Sequence, residues 1–194
     1  MRSRFLEKKE LAKLQRYMGG AWLPFAVALE TGLRIGDVAK IRWEELKGRR
    51  LDFVAQKTGK RGSALLSADL VRRLESVRVG AWLFPVPRDS GKHISRQLLW
   101  KRLKTAAAAV GIPLDGASPH SMRKVFAVRE YKAHGMAAAQ AGLQHTDIST
   151  TELYTMADWL TGENAEKPLL RGDLARILRY IEEFLRCGYK VHKV

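Results

Sequence analysis

The stretch TGLRIGDVAKIRW, residues 31–43, sets Arg34 between Leu33 and Ile35 just after a glycine, with Asp37 three positions further on. That spacing brings a carboxylate within reach of a guanidinium. Arginine offers a planar fork of donors that matches phosphate, so an arginine held in one place is a candidate phosphate ligand. The competing reading is a surface arginine with a helical ion-pair partner, worth only a few tenths of a kcal/mol. The stretch by itself leaves both readings open.

Composition favours the first. The chain has 194 residues, room for one sizeable domain, and 46% apolar residues, enough for a real core. Thirty-five Lys and Arg against 20 Asp and Glu give a net charge of +15, spread along the whole chain. Such an excess points to a polyanionic partner, most often nucleic acid, with an anionic membrane surface as the weaker alternative. Cys187 is the one cysteine, which rules out a disulfide within the chain and gives no zinc spacing. No apolar run approaches a membrane span and the first residues, MRSRFLEKKE, carry no apolar signal region. The expectation is a soluble, cytoplasmic protein.

Hydrophobic periodicity predicts a mainly α-helical α+β fold with a small antiparallel hairpin inserted among the helices. Leu6, Leu11, Leu14 and Met18 mark a first helix, and WLPFAVALETG (22–32) a buried second one ending near Gly32. RLDFVAQ (50–56) and GSALLS (62–67) read as two strands around the basic loop KTGKRG (57–62), and AWLFPV (81–86) as a short third strand. Helix returns in SRQLLWKRLKTAAAAVG (95–111), with an N-cap serine and a terminal glycine, and in SPHSMRKVFAVREYKAHG (118–135). MAAAQAGL (136–143) and TDISTTELYTMADW (146–159) suggest two more helices. A final one, 171–187, has Leu174, Ile177, Leu178, Ile181 and Leu185 on one face. That stripe suits ordinary core or a partner's surface. TGENAEKP (161–168) is the linker candidate.

Several polar residues fit one chemistry. PHSMR puts His120 and Arg123 on one helical face, and LQHTDISTTELY places His145 nine residues before Tyr154. With Arg34 and the hairpin residue Lys57 they make two arginines, two histidines, a lysine and a tyrosine. No carboxylate cluster suits a metal, and there is no Ser-His-Asp or Gly-rich nucleotide motif. Cationic donors plus a phenol suit attack on a phosphodiester by tyrosine. The transition state gathers negative charge on its non-bridging oxygens, which arginines and histidine neutralise. Tyrosine, with a pKa of about 10, needs a cationic setting or a base. The departing 5′-hydroxyl needs a proton donor, which a lysine supplies.

The order Arg, Lys, His-x-x-Arg, His, Tyr resembles the catalytic domain of tyrosine recombinases, the phage-integrase family, from about Phe5 to Trp159. Each box alone is a weak signal; four in order are specific. The resemblance implies catalytic roles for Arg34, Lys57, His120, Arg123, His145 and the nucleophile Tyr154, with Asp37 orienting Arg34 and neither metal nor cofactor. Lys60 and Arg61 compete with Lys57 for the lysine's role and otherwise contact phosphates. Arg96 and Gln97, at a helix start, are candidate readers of guanine and adenine or else solvated first-turn residues. Three positions depart from the family pattern. Gln144 stands where glycine is usual, Met156 where histidine is common, and Lys124 replaces a frequent histidine.

Further expectations follow from the resemblance. Residues 1–160 form the catalytic core, and 161–194 a linker and C-terminal helix packed on the same domain or docked on a neighbouring protomer. The amino-terminal core-binding domain of most members, which closes a clamp on DNA, is expected to be absent. The partner is double-stranded DNA, bound weakly by a free monomer, with protomers assembling on it as a tetramer. Two alternatives stay open, a catalytically idle DNA-binding relative and a type IB topoisomerase-like strand relaxer.

Overall fold

The computed structural model describes residues 5–56, 59–113, 117–134 and 142–143. Six α-helices and two small antiparallel sheets are found among them. Helix α1 (Lys8–Met18) starts where the Glu10 carboxylate accepts the Glu7 backbone N–H at 2.9 Å, tying down one of the donors a helix start leaves over. It buries Leu14, with Leu6 just ahead of it. A 3₁₀ turn, Gly19–Trp22, leads into α2 (Leu23–Thr31), which is apolar all round. Such a helix belongs in the interior, and Phe25, Val27 and Ala28 are fully buried there.

α2 is the central element. It packs against α6 (Pro119–His134), α4 (Ala68–Glu75), the short α3 (Ile35–Val38) and strand β3 (Arg61–Leu65). Helix α5 (Arg96–Ala109) closes the core with Leu99 and Leu103. Its ends follow the sequence expectation. The Ser95 hydroxyl accepts the Leu98 N–H at 3.1 Å, and Gly111, at φ +71°, lets the Ile112 N–H return to the Ala107 carbonyl at 2.8 Å.

The first sheet runs in the order β1 (Leu46–Lys47), β2 (Arg50–Val54), β3 (Arg61–Leu65), all antiparallel, with Val54 opposite Arg61 at the hairpin's mouth. Only one face is covered. Leu51 is fully buried whereas Val54 and Leu65 stay exposed.

Several elements differ from the sequence reading. AWLFPV is strand only at Pro85–Val86 (β4), because it pairs not with the first sheet but with Asp89–His93 (β5) across a tight turn. The third strand of the first sheet is β1 instead. Helix α4 is absent from that reading. Its N-terminus is held by Ser67, whose hydroxyl accepts the Leu70 N–H at 3.2 Å while Glu30 of α2 accepts the Ser67 N–H at 2.7 Å. No helix among the described residues is long and apolar enough to cross a membrane.

Candidate active site

A cleft of about 800 Å³ opens where α3, α5, α6 and the base of the β2–β3 hairpin meet, and Arg34, His120 and Arg123 all line it. Each arrives there for a local reason. Thr31 closes α2 by donating its hydroxyl to the Val27 carbonyl (2.7 Å) and accepting the Leu33 N–H (3.2 Å). Gly32 then turns the chain with φ +67°, a left-handed conformation that favours glycine. Leu33 and Ile35 are buried on either side of Arg34, which turns its side chain to the cleft. The Arg34 backbone caps α3, its carbonyl accepting the N–H groups of Asp37 (2.8 Å) and Val38 (3.0 Å).

His120 and Arg123 stand in the first turn of α6. Arg123 is 3% exposed, an unusual burial for a cation. Its Nη1 donates to the Gly32 carbonyl and its Nη2 to the Leu143 carbonyl. The guanidinium thus joins α6 to the turn that carries Arg34 and to the residue just ahead of the Gln144-His145 pair. Phe126, one turn on, reinforces the junction. A Cβ on Gly32 would lie 2.4 Å from its ring and one on Gly142 2.8 Å from it, so two glycines make the slot the ring occupies.

His120 stays exposed, yet neighbouring protein atoms strip water from it. This desolvation, and then the positive charges of Arg123, Lys124 and Arg34, hold its imidazole below the usual histidine range.

Asp37 differs from expectation. No ion pair joins it to Arg34 among the described residues. Its Oδ1 accepts the backbone N–H of Gln56 at 3.4 Å, and its Oδ2 is buried without a hydrogen bond among the described residues. Among the described residues Asp37 thus meets the hairpin base rather than Arg34. Arg96 and Gln97 also line the cleft, at the N-terminal end of α5. Lys60 and Arg61 are exposed on the hairpin and do not line it. Lys57, His145 and Tyr154 lie outside the described residues.

Sequence reasoning missed Lys40, Gln56, His93 and Trp100, all on the cleft wall. Lys40 follows Asp37 by three and Gln56 directly precedes the basic loop, so position beside a recognised residue was the signal. Among the described residues, Arg34, Lys40, Arg96 and Arg123 stand against one carboxylate, that of Asp37, and make the wall strongly cationic, a setting that suits a phosphate.

The model of the phage integrase family matches residues 4–159. The chain belongs to that family. Among its relatives is the tyrosine recombinase XerD of Lacticaseibacillus casei, 33% identical over 144 residues, a match covering 68% of this chain and 48% of that protein. XerD of Rhizobium meliloti (strain 1021) is 33% identical over 136 residues, covering 64% and 43%. The chain spans about half the length of these curated relatives. Its fold is that of solved integrases and recombinases. A lambda integrase (75–356) dimer bound to a COC′ core site superposes with a TM-score of 0.70 at 17% identity, over 88% of this chain and 63% of that one. XerA recombinase gives 0.67 at 16% identity, over 92% and 64%.

Proposed function

We propose that this phage-integrase-family chain is a site-specific DNA recombinase that cuts and rejoins DNA through a covalent 3′-phosphotyrosine. The observation that carries the reading is the convergence of Arg34, His120 and Arg123, from segments far apart in sequence, on one cationic cleft. In the reaction the Tyr154 hydroxyl attacks the scissile phosphorus and gives up its proton to a neighbouring base. The phosphorus–O5′ bond breaks as the phosphorus–tyrosine bond forms, and Lys57 delivers a proton to the departing 5′-oxygen. Arg34, Arg123, His120 and His145 surround the non-bridging oxygens as charge builds on them. Rejoining is the reverse, with a 5′-hydroxyl as the nucleophile. No cofactor or metal enters this scheme.

Lys60, Arg61 and Arg96 would neutralise backbone phosphates or, with Gln97, read base edges. The solved relatives support DNA as the partner and assembly upon it. One is a lambda integrase tetramer bound to a Holliday junction, another a XerH recombinase on its difH substrate before cleavage. Several protomers of this chain would act together in the same way, in the cytoplasm where the DNA lies.

Covalent capture tests the reading. The chain is mixed with a pool of nicked duplexes randomised in sequence, and protein–DNA adducts are isolated on denaturing gels and sequenced. Adducts of wild type enriched in one sequence, lost in Tyr154→Phe while duplex binding persists, support it. An adduct surviving in Tyr154→Phe, or none with wild type, overturns it. Relaxation of supercoiled plasmid without strand exchange would favour the topoisomerase alternative.

A further inference from the structure

Gln56 is the residue from which the chain enters the basic hairpin loop, and it is held twice. Its backbone N–H donates to Asp37 Oδ1 at 3.4 Å, and its side-chain Oε1 accepts from the Lys40 ammonium at 3.0 Å. Both holders come from one short segment, since the Lys40 N–H itself donates to the Asp37 carbonyl at 3.1 Å. All three residues line the cleft with Arg34. Beyond Gln56 the hairpin closes through the Ala55 N–H to the Lys60 carbonyl at 2.9 Å, and the Gly59 N–H to the Ala55 carbonyl at 2.8 Å, with Gly59 at φ +66°. The two ends of the loop are therefore tied to each other and, through Gln56, to the cleft wall.

An exposed lysine among phosphate-binding arginines would ordinarily be left for phosphate. Here one of its three N–H donors goes to a neutral amide instead. Nothing about a phosphate site needs that bond, whereas a loop that must present a proton donor at one place does. Proton transfer requires donor and acceptor within hydrogen-bond reach, and a misplacement of about 1 Å costs up to 10²-fold in rate.

We infer that Lys40, through its hydrogen bond to Gln56, is a positioning residue that fixes where the hairpin loop leaves the cleft wall and hence where Lys57 delivers its proton. The inference rests on the proposed recombinase chemistry and on Lys57 as its general acid. Asp37 supports the same anchor from the backbone side. Lys40 need not touch the DNA.

The test uses the full chain and a nicked duplex recovered from the randomised pool, made in two forms. One has the natural 5′-oxygen at the scissile bond; the other has a 5′-sulfur, a leaving group that needs little protonation. Lys40→Met and Gln56→Ala should each slow adduct formation about 10- to 10²-fold on the oxygen substrate, far more than either weakens duplex binding. The double variant should be no slower than either single one, because both remove the same bond. On the sulfur substrate their rates should return to wild type, as should that of Lys57→Ala, and Lys40→Arg should retain most of the rate on oxygen. A Lys40→Met defect that sulfur does not rescue while Lys57→Ala is rescued overturns the positioning role alone. Loss of affinity with a shallower salt dependence would make Lys40 a phosphate contact and overturn it likewise. Failure of sulfur to rescue Lys57→Ala itself removes the general-acid reading on which the inference stands.

Discussion

Arg34 and Arg123 face the same cleft, but the fold treats them in opposite ways. Arg34 sits at the corner between α2 and α3, half-buried, with its backbone capping α3 and its side chain in no hydrogen bond or ion pair with described residues. Arg123 is almost wholly buried and bonds two backbone carbonyls from distant parts of the chain. A guanidinium has five N–H donors in a fixed fork, so it can hold protein with some and phosphate with others. Arg123 holds two backbone carbonyls; Arg34 makes no such bond among the described residues, as its proposed role as a phosphate ligand requires. Two residues of one type in one site are thus built for different tasks, and the difference lies in their partners.

Alanine at each position should break the comparison open. Arg34→Ala should leave stability within about 0.5 kcal/mol, as for a side chain with few partners, while adduct formation falls about 10²–10³-fold. Arg123→Ala should lose as much activity and also about 2–3 kcal/mol of stability, because the carbonyls of Gly32 and Leu143 lose a charged donor in a buried place. Urea denaturation read beside the adduct assay checks both. Equal stability of the two variants would mean that Arg123 holds nothing together.

Much of this site could be read from the sequence, and the reasons differ by residue. That Arg34, His120 and Arg123 share one cleft was legible because a single chemistry would use all three and the helix fixes the interval between the last two. Helix α5 was legible from Ser95 and Gly111, which mark its ends by local physics. The partner of Asp37 was not. Gln56 stands 19 residues away, and only the docking of the hairpin, a tertiary event, brings it there. Strand β5, DSGKH, lacks apolar alternation and is almost entirely exposed, so its pairing with β4 leaves no periodic signal. Helix α4 did leave one, with Leu70, Val71 and Leu74 buried on one face behind a serine cap. The sequence reading passed from the strand at 62–67 to the one at 81–86 without taking it up.

The structural side of the comparison rests on Gly32, whose carbonyl Arg123 holds. Gly32→Ala should cost about 2–4 kcal/mol from two sources, a left-handed backbone for a residue with a Cβ and a clash with a ring that Gly142 also confines. Repeating it in a Phe126→Leu background separates them. There the added cost of alanine should drop to roughly 1 kcal/mol, the backbone part alone. An undiminished cost would show that Phe126 is not the obstacle. Because the Gly32 turn also aims Arg34, the single variant should lose cleavage beyond what its stability predicts.

The smallest effect concerns His120, which stands between the two arginines in character, exposed like a ligand residue yet in the field of both. Its imidazole is held below the usual histidine range, first by desolvation and then by Arg123, Lys124 and Arg34. The unfolded chain therefore takes up the proton at higher pH than the folded one. Stability should decline as pH falls from the ordinary histidine value, about 6.5, towards the depressed folded value. The decline should be slight, since the side chain remains exposed. A bound phosphodiester reverses the local charge and favours the imidazolium, so DNA binding should take up a proton. Affinity should then rise as pH falls through the same window, by less than about tenfold. Stability and affinity would slope in opposite directions between about pH 5 and 8, and His120→Gln should flatten both. Parallel slopes, or a slope that survives in His120→Gln, would place the titrating group elsewhere and leave the phosphate's charge to the fixed cations of the cleft wall.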